Sequence, residues 1–258
     1  MKQLSFDTSG DNLNVTVFES GRVLMHFESN VSKQHGEHLL PVIQETICGV
    51  EWKPEVLDEI YVGRGPGSYT GLRIGITMAK VWAKMLNCKL YTYSSLSLMA
   101  SQVCTFDAKT LIVPIIDARR GSVYVGAYRW NNHIYQNVME DVHQDWQTWI
   151  NQHLIPYLAN HQIESLIFVN LMDQKLLEIV ENRLESGSYK IHNVLGPRSW
   201  PNTLHTFQVE CNEERDVDLL VPYYAHASLA EQEWVERNRG EVKQDEGYIE
   251  YSYESDFT

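Results

Sequence analysis

The chain has 258 residues, 43% of them apolar, and carries 34 acidic against 21 basic side chains, a formal charge of −13. That length and apolar share support one large domain or two small ones with proper cores, and exclude a disordered chain. The charge opposes long-range attraction to nucleic acid, no run of Lys and Arg supplies a local patch, and no stretch is apolar for long enough to span a bilayer.

Four cysteines, Cys48, Cys88, Cys104 and Cys211, are scattered without a CxxC pair or a signal peptide ahead of them. Free, buried thiols in a reducing cytoplasm are the expectation. Residues 3–7 read as a buried strand closing on the polar turn Asp7-Thr8-Ser9-Gly10. Residues 13–19 alternate, with Leu13, Val15 and Val17 on one face, and Ser20-Gly21 turns them into a third strand over 22–28. An acid at a strand end, as Asp7 is, either caps its turn or holds a metal–nucleotide. Ser32 then caps a helix over 33–48 with Leu39, Leu40, Val42, Ile43 and Ile47 on its apolar side; Pro41 inside it predicts a kink or a late start. His35 and His38 have a spacing that can share a metal, but no third ligand stands nearby.

A strand over 57–62 runs into Gly63-Arg64-Gly65-Pro66-Gly67-Ser68-Tyr69-Thr70-Gly71-Leu72-Arg73-Ile74-Gly75. Strand, glycine-rich turn, helix is the pattern of a phosphate cradle, and equally of a plain tight turn. It lacks the Lys-Ser/Thr pair of a P-loop and the downstream acid of a dinucleotide fingerprint. In the helix that follows, over 70–86, Gly71, Gly75, Ala79 and Ala83 recur every four residues and form a ridge nearly free of side chains. Such a ridge lets another backbone come close, within the molecule or from a partner. Asn87 stops the helix, 89–93 is a strand, and Ser94 or Ser95 caps a helix through Val103.

The pattern then begins again. A strand over 111–116 closes on Asp117-Ala118-Arg119-Arg120-Gly121; 122–130 alternates, Asn131-Asn132 turns, and 133–140 is a third strand. A helix over 145–158, a strand over 165–169, a helix over 174–184, a strand over 191–194 and a helix over 203–209 follow. The parallel between halves predicts an internal duplication. The predicted units are a lobe over 1–105, a second over 106–225, and an acidic extension over 226–258. Apart from Tyr248, Ile249, Tyr251 and Tyr253 the extension lacks an apolar period past Gly240, and reads as mobile or partner-bound.

Two facing β-β-β-α-β-α units resemble the α/β actin-like ATPase (ASKHA) fold. Within it, Phe6-Asp7-Thr8-Ser9, His35-Gly36-Glu37-His38-Leu39-Leu40-Pro41, the long glycine motif, Pro114 to Gly121, Val123-Tyr124 and Val221-Pro222-Tyr223-Tyr224 resemble the TsaB (YeaZ) family, over residues 1 to about 235. The chain departs from the family pattern at Ser122, where Glu is usual, at Tyr69, where Phe is usual, and in its tail. The resemblance implies a subunit with no catalytic residue, metal or cofactor of its own, working in tRNA threonylcarbamoyladenosine synthesis. It implies docking to the catalytic paralogue TsaD through helices 34–48 and 70–86, with His35, Leu39, Val42, Ile43, Gly71, Leu72, Gly75, Ile76, Ala79 and Ala83 at the interface. It also implies a ternary complex with the ATPase TsaE, a homodimer when TsaD is absent, and tRNA met only through the complex. Ser95 and Met99 stand where the metal-binding His-x-x-x-His pair of TsaD would be. Asp7, Thr8, Gly65, Gly67, Ser68, Asp117 and Arg119 then read as remnants of nucleotide-binding turns. The alternative is a small-molecule kinase of the same fold, using Asp7, Asp117 and the glycine turn around Mg-ATP.

Overall fold

The structure, a computed structural model, describes residues 1–30, 34–184, 189–196 and 200–225. β1 (Lys2–Asp7), β2 (Asn12–Glu19) and β3 (Arg22–Asn30) form the expected antiparallel meander. Ser20 and Gly21 both take positive φ, the backbone whose twist matches a two-residue hairpin. Alternation along β2 sends Leu13, Val15 and Val17 into a core beneath α1 (His35–Gly49). No side chain caps α1 at Gln34, and the expected cap, Ser32, lies outside the described residues. Helix α1 runs on through Pro41.

β4 (Glu59–Gly65) and β5 (Lys89–Ser94) extend this sheet in parallel from β1, with α2 (Tyr69–Leu86) as the crossover between them. Asn87 ends α2 in the left-handed conformation, as Asn does at low cost. α3 (Ser95–Ser101) is capped by Ser94 and buried along its whole length, because it packs between the two lobes rather than on one sheet.

The second lobe repeats the plan with β6 (Thr110–Asp117), β7 (Ser122–Asn131) and β8 (Ile134–Asp145). Its hairpin turns on Asn132 and His133, one residue later than expected. Then come α4 (Trp146–Trp149), a π-helical turn (Ile150–Leu154) and α5 (Ile155–Asn160). Pro156 has no N–H for the carbonyl four residues back, and the loosened turn stands just ahead of it. β9 (Ser165–Val169), α6 (Gln174–Arg183) and β10 (Lys190–Val194) complete the lobe. Sheet orders β5-β4-β1-β2-β3 and β10-β9-β6-β7-β8 coincide strand for strand, so the duplication is structural, on the two-lobed plan expected of the actin-like fold.

The last part of the chain departs from expectation. In place of the helix expected over 203–209 there is a 3₁₀ segment (Thr203–Gln208), and β11 (Asn212–Glu213), too short to show a period, pairs antiparallel with β5. Thr203 and Thr206 reach the hydroxyls of Thr16 and Ser5 at 2.6 and 2.7 Å, while Val217 and Leu220 pack into the first core. The span 106–225 therefore does not stay with one sheet: from about Trp200 it covers the polar inner face of the first. The cysteines are free, but Cys48 and Cys104 are exposed and Cys88 and Cys211 half-buried, so the expectation of buried thiols is corrected.

Candidate functional site

The glycine motif is built around the Asp7 turn. Asp7 is 1% exposed; one carboxylate oxygen accepts from the Ser9 N–H at 2.7 Å and the Ser9 hydroxyl at 2.5 Å, the other from the Ser95 hydroxyl at 2.8 Å. Burial raises its pKa, opposed by those hydrogen bonds and, more weakly, by His35. A methyl group on Gly63 would strike this carboxylate, and one on Gly67 would sit 2.5 Å from the Ser9 carbonyl. The Ser68 N–H donates to that same carbonyl at 2.7 Å, and the Ser68 hydroxyl accepts from the Gly71 N–H as the cap of α2. Gly65 lies against the Tyr223 carbonyl. The N–H groups that would face a phosphate are in part turned inward, and Trp200 packs over Gly10 at the turn.

These glycines thus serve close internal approach. Because burial raises the folded pKa of Asp7, its share of stability is complete below the ordinary carboxylate range and is lost as pH rises through the elevated folded value. Asp7→Asn keeps the acceptor for Ser9 and turns an N–H toward Ser95. It is expected to raise Tm more on the alkaline side of the elevated Asp7 pKa than on the acid side, read by calorimetry across pH.

The small-residue ridge also faces inward. Gly71 and Gly75 lie on Thr8, whose carbonyl and hydroxyl oxygens occupy the space a Cβ would need, and the Thr8 hydroxyl donates to the Gly71 carbonyl at 2.8 Å. Leu72, Ile76, Ala79 and Ala83 of α2, and His35, Leu39, Val42 and Ile43 of α1, are all buried in the chain by itself. All ten positions expected at a partner surface are covered within the chain, and Leu39, Val42, Ile43, Ile76, Ala79 and Ala83 pack in the first lobe's core. The opposite face of α2 carries Tyr69, Thr70, Arg73, Thr77, Val81, Lys84 and Met85, all exposed, with Val81 at 46% and Met85 at 77%. Leu40 and Pro41 are exposed on the neighbouring α1.

Asp117 is exposed and makes its own turn, accepting from the Arg119 N–H at 2.7 Å; Arg119 and Arg120 both take positive φ. Among the described residues no group of three His, Cys, Asp or Glu is placed to hold a metal; His35 is buried and His38 half-buried. Ser95 and Met99 are both buried, Ser95 as donor to Asp7 and Met99 in the interlobe core.

Sequence reasoning missed Asp141. It stands in β8 beyond the predicted strand end, and nothing in its neighbours announces burial. It lines a cavity of about 220 Å³ between the lobes with Ser94, Tyr128, Asn137, Glu210 and Tyr223.

A family model described as TsaD, tRNA N6-adenosine threonylcarbamoyltransferase, matches residues 29–180. The tRNA threonylcarbamoyladenosine biosynthesis protein TsaB of Bacillus subtilis is 32% identical over 243 residues, covering 93% of this chain and all of that protein. The TsaB protein of Escherichia coli is 32% identical over 129 residues, 50% of this chain and 55% of that one. Among solved structures, YeaZ from Pseudomonas aeruginosa superposes with a TM-score of 0.65 at 20% identity, covering 86% of this chain and 99% of its own. Among the described residues no helix is long and apolar enough to cross a membrane. With a full-length relative at this identity and the two-lobed fold in common, the chain belongs to the TsaB (YeaZ) family of tRNA threonylcarbamoyladenosine biosynthesis proteins.

Proposed function

We propose that this chain is the non-catalytic subunit of a tRNA-threonylcarbamoylating complex, docking to a TsaD-type paralogue so that threonylcarbamoyl reaches the adenosine beside the anticodon. The full-length likeness to a TsaB protein carries the reading. An accessory role is supported by the Asp7 turn, whose carboxylate is occupied by Ser9 and Ser95, and by Ser95 and Met99 at the positions that the resemblance gives to the paralogue's metal ligands. Neither a hydroxyl engaged elsewhere nor a thioether suits a hard metal.

The docking surface is the outward strip of α2 with the adjoining edge of α1, centred on Val81, Met85 and Leu40, where apolar side chains stand in water. The same strip accounts for a homodimer when the paralogue is absent. A TsaE-type ATPase completes the complex, tRNA is met through the partners because the net charge of −13 repels it, and the location is cytoplasmic.

Reconstitution tests this. The chain, a TsaD protein, a TsaE protein, tRNA and the threonylcarbamoyl adenylate are expected to yield modified tRNA by mass spectrometry, and omission of the chain to lower the yield at least about tenfold. The chain alone is expected to show no divalent-dependent ATP turnover. Turnover abolished by Asp7→Ala would instead establish the kinase reading.

A further inference from the structure

Asp141 is a built feature of the lobe junction. Val125 pairs with Val142, but Ala127 pairs with Met139, so Glu140 and Asp141 together oppose the single residue Gly126. This bulge turns the Asp141 side chain inward, as bulges re-aim side chains. Gly126 leaves the room: a Cβ there would overlap the Asp141 carboxylate. Asp141 is 7% exposed.

Three parts of the molecule converge on it. From the first lobe, the Ser94 hydroxyl donates to one carboxylate oxygen while accepting the N–H groups of Leu96 and Ser97, so the contact includes the cap of the interlobe helix α3. From the second lobe, the Tyr128 hydroxyl donates to the other oxygen at 2.5 Å and the Asn137 amide at 3.3 Å. From the closing segment, the Tyr223 hydroxyl donates to the Asp141 carbonyl at 2.5 Å, while the Tyr223 N–H donates to the Arg64 carbonyl at 2.8 Å. We propose that Asp141 is a proton-operated clasp, which holds both lobes and the C-terminal strap (residues 212–223) together when protonated and lets them part more readily when ionised.

The titratable groups facing it are Tyr128 on β7, Tyr135 and Glu140 on β8, Glu210 ahead of β11, and Tyr223 on the strap. Among the described residues no Lys, Arg or His lines the cavity; Arg64, whose carbonyl holds the Tyr223 N–H, is the cation whose charge reaches Tyr223. Burial, with a smaller contribution from Glu140, pushes its pKa up to about 6, against the hydrogen bonds from Ser94, Tyr128 and Asn137. A raised folded pKa means the closed arrangement prefers the proton. Its contribution is complete below the unfolded carboxylate value and is lost as pH rises through about 6. A shift of about two pH units corresponds to roughly a hundredfold change in the open-to-closed ratio.

The test is carboxyl ¹³C titration of the full chain, joined to native-state hydrogen exchange at pH 5 and pH 8 corrected for intrinsic rates. The Asp141 midpoint is expected near 6. Opening at α3 and the strap is expected to rise by up to about a hundredfold from pH 5 to pH 8, and to be flat in Asp141→Asn. A midpoint near 4, or pH dependence that survives Asp141→Asn, overturns the clasp. Should Asp141→Asn not fold, Tyr223→Phe decides. Faster strap exchange at every pH, with α3 still pH-dependent, supports the clasp; unchanged strap exchange overturns it.

Discussion

Gly71→Val is expected to destabilise the fold strongly. The position faces the carbonyl oxygen of Thr8, and that oxygen belongs to backbone held between β1 and the glycine turn, so no side-chain rotation relieves the overlap. Overpacking of this kind costs about 3 kcal/mol or more. For a chain of this size that lowers Tm by roughly 6–12 °C, with expression in inclusion bodies as the coarse sign. Gly75 supplies the control, because its neighbour is the Thr8 hydroxyl, a group that can be removed. Gly75→Ala is expected to destabilise, and Gly75→Ala with Thr8→Ala to recover most of the loss, less about 1 kcal/mol for the hydrogen bond from Thr8 to the Gly71 carbonyl. A denaturant double-mutant cycle measures the coupling, expected at about 1–3 kcal/mol. Additive single effects would mean that the ridge is not seated on Thr8.

Val81→Asp with Met85→Asp is expected to do the reverse, sparing the fold and removing the partner. Both side chains are well exposed, one turn apart on α2, so charging them disturbs little in the chain alone, within about 0.5 kcal/mol each. At the centre of an apolar interface each buried carboxylate would cost about 2 kcal/mol or more, and the pair weakens docking at least about a hundredfold. Calorimetric titration against the TsaD-type partner reads the affinity, and thermal melting checks the fold. A well-folded double variant that still supports full tRNA modification places the docking surface elsewhere on the molecule.

The meanders, the crossover helices and their order were legible because each has a strong local signal. Leu13, Val15 and Val17 alternate, the helix after the glycine motif has an unbroken 3.6-residue period, and Asn87 and Ser94 mark an end and a start. The 3₁₀ turn after Asn202 and the two residues of β11 have no period to read, since their conformation is set by the sheet they lie on. The small-residue ridge was visible, but its direction was not: a stripe of Gly and Ala announces close approach without naming what approaches.

The duplicated α/β plan, the family and the glycine motif as a place of tight contact follow from local periodicity and from long runs of matching residues. The folded chain was needed to see that the glycines seat the Asp7 turn, that α2 turns Val81 and Met85 outward, and that Asp141 meets Ser94, Tyr128 and Tyr223 at the lobe junction. Which face of an element is covered, and which acid loses its water, depends on groups dozens of residues away in the chain.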